Sequence, residues 1–205
     1  MKTLLVDCSL KPTLNNDLHK VAEKFGECIV VHFTNIKSTQ KVRDLDSVIL
    51  SGSAARIVKP SDRWQFKGTV DLIKTCNLPM LGICFGHQLL SWTFGAKVGS
   101  LDEPVLGRFE NVRLINVDDI FAGFKEQQTL PLAENHYDYV IKESLSQNEW
   151  VLLADSVSCD VEAVRLKNRP VYGLQFHPER LKIKNVSHSE GHKIIENFFS
   201  NVVKR

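Results

Sequence analysis

One stretch constrains this chain more than any other: Leu78-Pro79-Met80-Leu81-Gly82-Ile83-Cys84-Phe85-Gly86-His87-Gln88-Leu89-Leu90. Met80 to Ile83 is a short apolar run and reads as a buried strand, while Gln88 to Phe94 is apolar and helix-permissive. Between them, Gly82-x-Cys84-x-Gly86 sets a small residue two positions either side of a nucleophile. A strand that turns sharply into a helix with this spacing is a nucleophile elbow, here with Cys where Ser is the commoner nucleophile. Glycines suit such a turn because it is strained and neighbouring backbone passes close to it. A thiol at a helix N-terminus is favoured as thiolate by the partial positive charge there. The following N–H, that of Phe85, points to where an oxyanion would form. Taken alone, the stretch is equally well a buried cysteine at a strand end, since free Cys is often buried.

A second stretch shifts that balance. Val171-Tyr172-Gly173-Leu174-Gln175-Phe176-His177-Pro178-Glu179 is an apolar strand ending in His-Pro-Glu. A Cys nucleophile needs a base, and the base needs a third group to orient it. His177 supplies the base. Pro178 disfavours the α region at His177 and predicts an extended segment, in which positions i and i+2 point to the same side. Glu179 therefore reaches the imidazole. A lone histidine is more often a satisfied core or surface residue, but a Cys elbow and a strand-end His-Pro-Glu seldom occur together by chance.

The rest of the chain supports an α/β fold. At 205 residues a single domain spanning 1–205, with a large core, is expected. Lys and Arg number 26 against 24 Asp and Glu, so bulk charge gives no argument for a nucleic-acid or membrane partner. No long apolar span occurs, and Met1 to Asp7 is too short before its Asp for a signal peptide. Five cysteines with no Cys-x-x-Cys fit reduced thiols in a cytoplasm rather than disulfides or a zinc site. Leu4–Val6, Cys28–Phe33 and Ser47–Leu50 read as strands. Leu14, Leu18, Val21, Ala22 and Phe25 recur at helical spacing before Gly26. Strand, helix, strand order predicts parallel pairing, with sites at the carboxyl ends of strands. Ser51-Gly52-Ser53 and the Cys84 elbow would then lie side by side.

Further along, Arg56 to Lys67 reads as a solvated surface loop entering a helix over Phe66 to Cys76. Val105–Phe109 and Val112–Ile115 read as hairpin strands, and Asp118-Asp119 as a helix cap. His136 is a rival base, but it lacks the carboxylate that His-Pro-Glu provides. Trp150–Ala154, Val161–Leu166 and Pro170–Phe176 read as strands, the middle one alternating and so wet on one face. Ile194, Ile195, Phe198, Phe199 and Val202 form an apolar stripe on a last helix. His188 and His192 are spaced to share a helix face, but no third metal ligand is evident, so exposed helix histidines are the better reading.

Leu81–Gln88 and Gly173–Glu179 resemble the two signature motifs of class I (triad) glutamine amidotransferases. Ser51-Gly52 is similar to the start of that family's Ser-Gly-Gly-Pro oxyanion loop, Asn135-His136-Tyr137-Asp138 to its glutamine-contacting loop, and Val186–Phe199 to its closing helix. The resemblance implies a flavodoxin-like, open, mostly parallel sheet flanked by helices, with an added antiparallel β region. It implies hydrolysis of the L-glutamine side-chain amide by Cys84, His177 and Glu179, with Gly52 and Phe85 as oxyanion donors. Ser53, Gln88, His136, Tyr137 and Asp138 would contact the substrate. No metal or organic cofactor is expected. The chain has no Gly-rich phosphate loop and no length for a synthetase domain, so a separate ATP-using subunit would receive the ammonia. The glutaminase subunit of GMP synthase, which aminates XMP to GMP, is the branch it most resembles, partly through Arg169–Gly173. The chain departs from the pattern at Ser53 and Ala54, where Gly and Pro are usual. Ser tolerates positive φ poorly, so the loop either follows another path or closes only on activation. A stand-alone γ-glutamyl hydrolase with the same chemistry, and a non-catalytic regulatory module, are the alternatives.

Overall fold

A computed structural model describes residues 1–12, 17–37 and 44–204. Leu14, the first residue of the expected helical stripe, lies outside them. In chain order the elements are β1 (Lys2–Asp7), α1 (Asp17–Ala22), β2 (Glu27–His32), β3 (Ser47–Leu50), α2 (Pro60–Gln65), α3 (Lys67–Thr75), β4 (Met80–Ile83) and α4 (Phe85–Thr93). Then come β5 (Val98–Leu114), β6 (Thr129–Val140), β7 (Trp150–Asp155), β8 (Ala163–Leu166), β9 (Val171–Leu174), the short pair β10 (Lys182–Ile183) and β11 (Val186–Ser187), and α5 (Glu190–Asn197).

Nine strands form one sheet in the order β2-β1-β3-β4-β9-β8-β7-β5-β6. The five from β2 to β9 run parallel. The remaining pairings, from β9-β8 to β5-β6, are antiparallel. Every residue of β3, β4 and β9 is buried, which explains their continuous rather than alternating hydrophobicity: helices cover both faces. Leu4, Val6, Val48, Leu50 and Met80 pack on one face with Phe66, Ile73, Phe85 and Leu89 of the α3–α4 layer. Leu5, Ile49, Leu81 and Ile83 pack on the other with Leu18 and Val21 of α1 and with Ile194, Ile195, Phe198 and Phe199 at the C-terminus. The Cys84 elbow emerges from the middle of the sheet, between β3 and β9.

Several local expectations change. The two hairpin strands at 105–115 are parts of one long strand, β5, which pairs with β6 and absorbs two register shifts between Ser100 and Arg108. Gly107, at φ 54°, lies within that irregular stretch, which bends the strand instead of turning it. Asn135–Asp138 is likewise strand β6, not a loop. The helix over Phe66 to Cys76 is instead α2 followed by α3, with Phe66 buried at their junction against Phe33 and Phe85. β8 has no wet face: only Arg165 is partly exposed, and its Nε donates to Asp118 at 2.7 Å. His188 precedes α5 and packs edge-on against Phe109, while His192 lies within α5, so they do not share a helix face.

Candidate active site

Cys84 occupies the N-cap position of α4 with φ 51° and ψ −106°, a conformation an L-residue adopts only under constraint. The constraint is visible. Its N–H donates to Leu174 O at 2.7 Å, and its carbonyl accepts from Gln88 N at 3.1 Å. Gly86 lets the first turn of α4 press onto β3: a Cβ there would lie 2.4 Å from Leu50 O. The sequence places a nucleophile on a strained turn, and the neighbouring strands hold it there.

His177 follows β9, and its N–H donates to Ala133 O on β6 at 2.7 Å. Its Nδ1 lies 2.7 Å from Glu179 Oε1, so Nδ1 carries the proton and Nε2 is left for the thiol. The segment is not extended as expected. Residues 177–180 form a turn closed by Arg180 N–H to His177 O at 3.2 Å, and that turn brings Glu179 under the ring. Burial disfavours the imidazolium, but the Glu179 carboxylate and the charge of and hydrogen bond with Cys84 outweigh it and raise His177 from 6.5 to about 10. Burial also opposes ionisation of Glu179, but His177 and Arg180 hold it below the usual carboxylate value. The three side chains form one hydrogen-bonded, charge-coupled group.

A cavity of about 520 Å³ opens on this group. Gly52, Ser53, Gln88, His136, Tyr137 and Asp138 all line it together with Cys84, His177 and Glu179. Gly52 stands directly over the reacting pair, since a Cβ on it would lie 2.9 Å from His177 Cε1 and 3.6 Å from Cys84 Cβ. Ser53 needs no left-handed backbone: among the described residues only Cys84, Gln127 and Lys184 are non-glycine positions with positive φ. Its Oγ instead accepts the Ala55 N–H at 3.0 Å and shapes the loop. The Phe85 ring is in the core beside Phe66, so only its backbone belongs to the site.

The substrate-contact candidates sit on a wall made by β6. Gln88 Nε2 donates to Asp138 O at 2.7 Å and to Gln175 Oε1 at 3.1 Å. His136 is buried, with Nδ1 3.0 Å from Asp138 O and Nε2 3.5 Å from Glu134. Burial lowers its pKa. Tyr137 is half exposed at the mouth, beneath the Arg56 guanidinium. The Asp138 carboxylate is buried and committed to Arg56 and to Ser100 Oγ. Sequence reasoning missed Arg56, which it read as solvated surface. It also missed Asn135 O, 3.6 Å from Cys84 Sγ, and Arg180 at the rim. Beside this wall lies a further unforeseen feature, the buried carboxyls of Glu134 and Glu162. Burial and mutual proximity raise Glu134, and burial raises Glu162.

Comparison with known proteins decides the family: the profile of glutamine amidotransferase class-I matches residues 4–202. The chain belongs to that family. Among relatives, this amidotransferase is 37% identical over 131 residues to the glutamine-hydrolyzing subunit of GMP synthase from Methanothermobacter thermautotrophicus, a match that spans 63% of this chain and 64% of that relative. It is 31% identical to the Sulfolobus acidocaldarius protein of the same name, over 82% of each chain. A solved Thermoplasma acidophilum structure assigned to the same GMP synthase subunit superposes with a TM-score of 0.82 at 28% identity, covering 97% of this amidotransferase and 92% of that chain.

Proposed function

We propose that this amidotransferase hydrolyses the side-chain amide of L-glutamine and passes the ammonia to a separate ATP-using synthetase subunit, which aminates XMP to GMP. One observation carries the chemistry: Nδ1 of His177 bonds Glu179 at 2.7 Å while the same ring is hydrogen-bonded to Cys84. In this reading residues 1–205 act as one glutaminase domain, working in the cytoplasm. The free thiols at Cys8, Cys28, Cys76, Cys84 and Cys159 support that placement. Among the described residues no helix is long and apolar enough to cross a membrane.

The steps follow from the geometry. The Cys84 thiolate attacks the amide carbon, and the N–H groups of Phe85 and Gly52 receive the developing oxyanion. His177, already protonated beside Glu179, gives its proton to the departing ammonia. The thioester at Cys84 is then hydrolysed by water that His177 deprotonates, releasing glutamate and the free thiolate. His136 is not the base here, because its Nδ1 is committed to Asp138 O and burial weakens it.

The test is glutamate release by the purified chain, wild type and Cys84→Ala, with and without an XMP-aminating synthetase subunit. Release that depends on Cys84 and rises with the synthetase is the expected result. Equal release from both variants rejects the mechanism, and full turnover without any partner rejects the coupling.

A further inference from the structure

Arg56 is the cavity charge that neither the motifs nor the expected contacts account for. It lies four residues beyond Gly52, in the part of the loop where Ser53 and Ala54 depart from the family pattern. The structure fixes it at three points. Its N–H donates to Asp62 Oδ2 at 2.9 Å. Its Nε donates to Asp138 Oδ1 at 3.0 Å and Nη2 reaches the same oxygen. Nη2 also donates to Ser100 Oγ at 2.7 Å, and the guanidinium covers the Tyr137 ring. The Asp138 side chain is 3% exposed and Arg56 is 28% exposed. The pair thus faces the cavity through its cation, and among the described residues Nη1 makes no hydrogen bond. The resemblance implies that Asp138 touches substrate; the structure makes its carboxylate the anchor of Arg56 instead.

From this placement we propose that Arg56 is the specificity residue that receives the α-carboxylate of the amino-acid substrate through Nη1, with Asp138 and Ser100 as its positioning residues. The inference rests on glutamine as the ligand of this cavity. Glutamine carries one anionic group, the α-carboxylate, remote from the amide that Cys84 attacks. A guanidinium held by a buried carboxylate offers that group a donor whose side-chain entropy is already spent. Arg180 is the rival cation on the lining, but it is 40% exposed and 3.9 Å from Glu179, and among the described residues that is its one ion pair. It serves the catalytic carboxylate rather than the far end of the cavity.

The experiment measures calorimetric affinity for L-glutamine and for L-glutaminamide, which lacks the carboxylate charge, on the 205-residue chain carrying Cys84→Ala. Added Arg56→Met weakens L-glutamine binding about 10- to 100-fold, the range of a hydrogen bond to a charged group, and leaves L-glutaminamide unchanged. Added Arg56→Lys, which keeps charge but loses the fork, falls between. In the Cys84-containing enzyme the same change raises KM and spares kcat. Equal weakening of both ligands, as loop collapse would give, overturns the proposal. So does unaltered glutamine binding, or a loss that appears with Arg180→Met instead. If glutamine binds through Arg56 but Cys84 proves dispensable for glutamate release, the catalytic reading fails and this one stands.

Discussion

Replacing Gly52 with Ala separates two roles that the oxyanion loop combines. The added Cβ would stand 2.9 Å from His177 Cε1, 3.7 Å from Nε2 and 3.6 Å from Cys84 Cβ. Carbon pairs prefer about 3.5–4.0 Å, so the imidazole must retreat by about 0.6–1 Å. Its 2.7 Å bond to Glu179 and its backbone bond to Ala133 resist that retreat. A misplacement of about 1 Å at a reacting group costs about 10²-fold in rate, so kcat for glutamate release should fall about 10- to 100-fold. The substitution keeps the N–H at position 52, so the loss is not that of an oxyanion donor. Gly52 does not have a positive φ, so Ala fits the backbone and removes unfolded-state entropy worth about 0.4–1 kcal/mol. That gain opposes the steric cost, and Tm should stay within about 4 °C of wild type. Steady-state kinetics with the synthetase partner, beside a thermal melt, reads both quantities. A Gly52→Ala enzyme with wild-type kcat would refute the claim that His177 needs this space.

The charge pairings give two further expectations. His177 is raised from 6.5 to about 10, so its contribution to stability is fully present below pH 6.5 and is lost as pH rises through 10. Glu179→Gln removes the partner, and its Tm should fall less between about pH 8 and 10.5 than that of wild type; parallel curves would disprove the coupling. Glu134 and Glu162 are raised by burial, and Glu134 also by its carboxyl neighbour, so they favour the fold when protonated and penalise it as pH climbs above the ordinary 4.5. Glu162→Gln should therefore melt higher than wild type at about pH 8.5 and close to it at about pH 5, as read by calorimetry.

The elbow and the His-Pro-Glu segment were legible because their chemistry depends on local order. The Gly-x-Cys-x-Gly spacing, a strand before it and a helix after it require no knowledge of the rest of the fold. The parallel half of the sheet was legible for a related reason: Ser47–Leu50, Met80–Ile83 and Val171–Leu174 are apolar without alternation, and such runs survive only between two covering layers. The antiparallel half was harder to read. β5 carries its irregularity within a continuous ladder to β6, and neither bulge has a sequence mark as plain as a turn residue.

The order of residues alone thus determined which groups carry the reaction and that they sit on strand ends. What it could not determine is which side chains meet across the cavity, because those meetings join segments remote in the chain. Arg56 looked like surface until β6 and β5 placed Asp138 and Ser100 against it. Glu134 and Glu162 looked like ordinary strand and loop acids until the sheet buried them. Ser53 seemed to demand a strained backbone until its own hydroxyl proved to shape the loop. Spacing along a chain fixes local geometry, whereas the ionisation and direction of a side chain depend on what packing brings around it, and only the closed sheet supplies that.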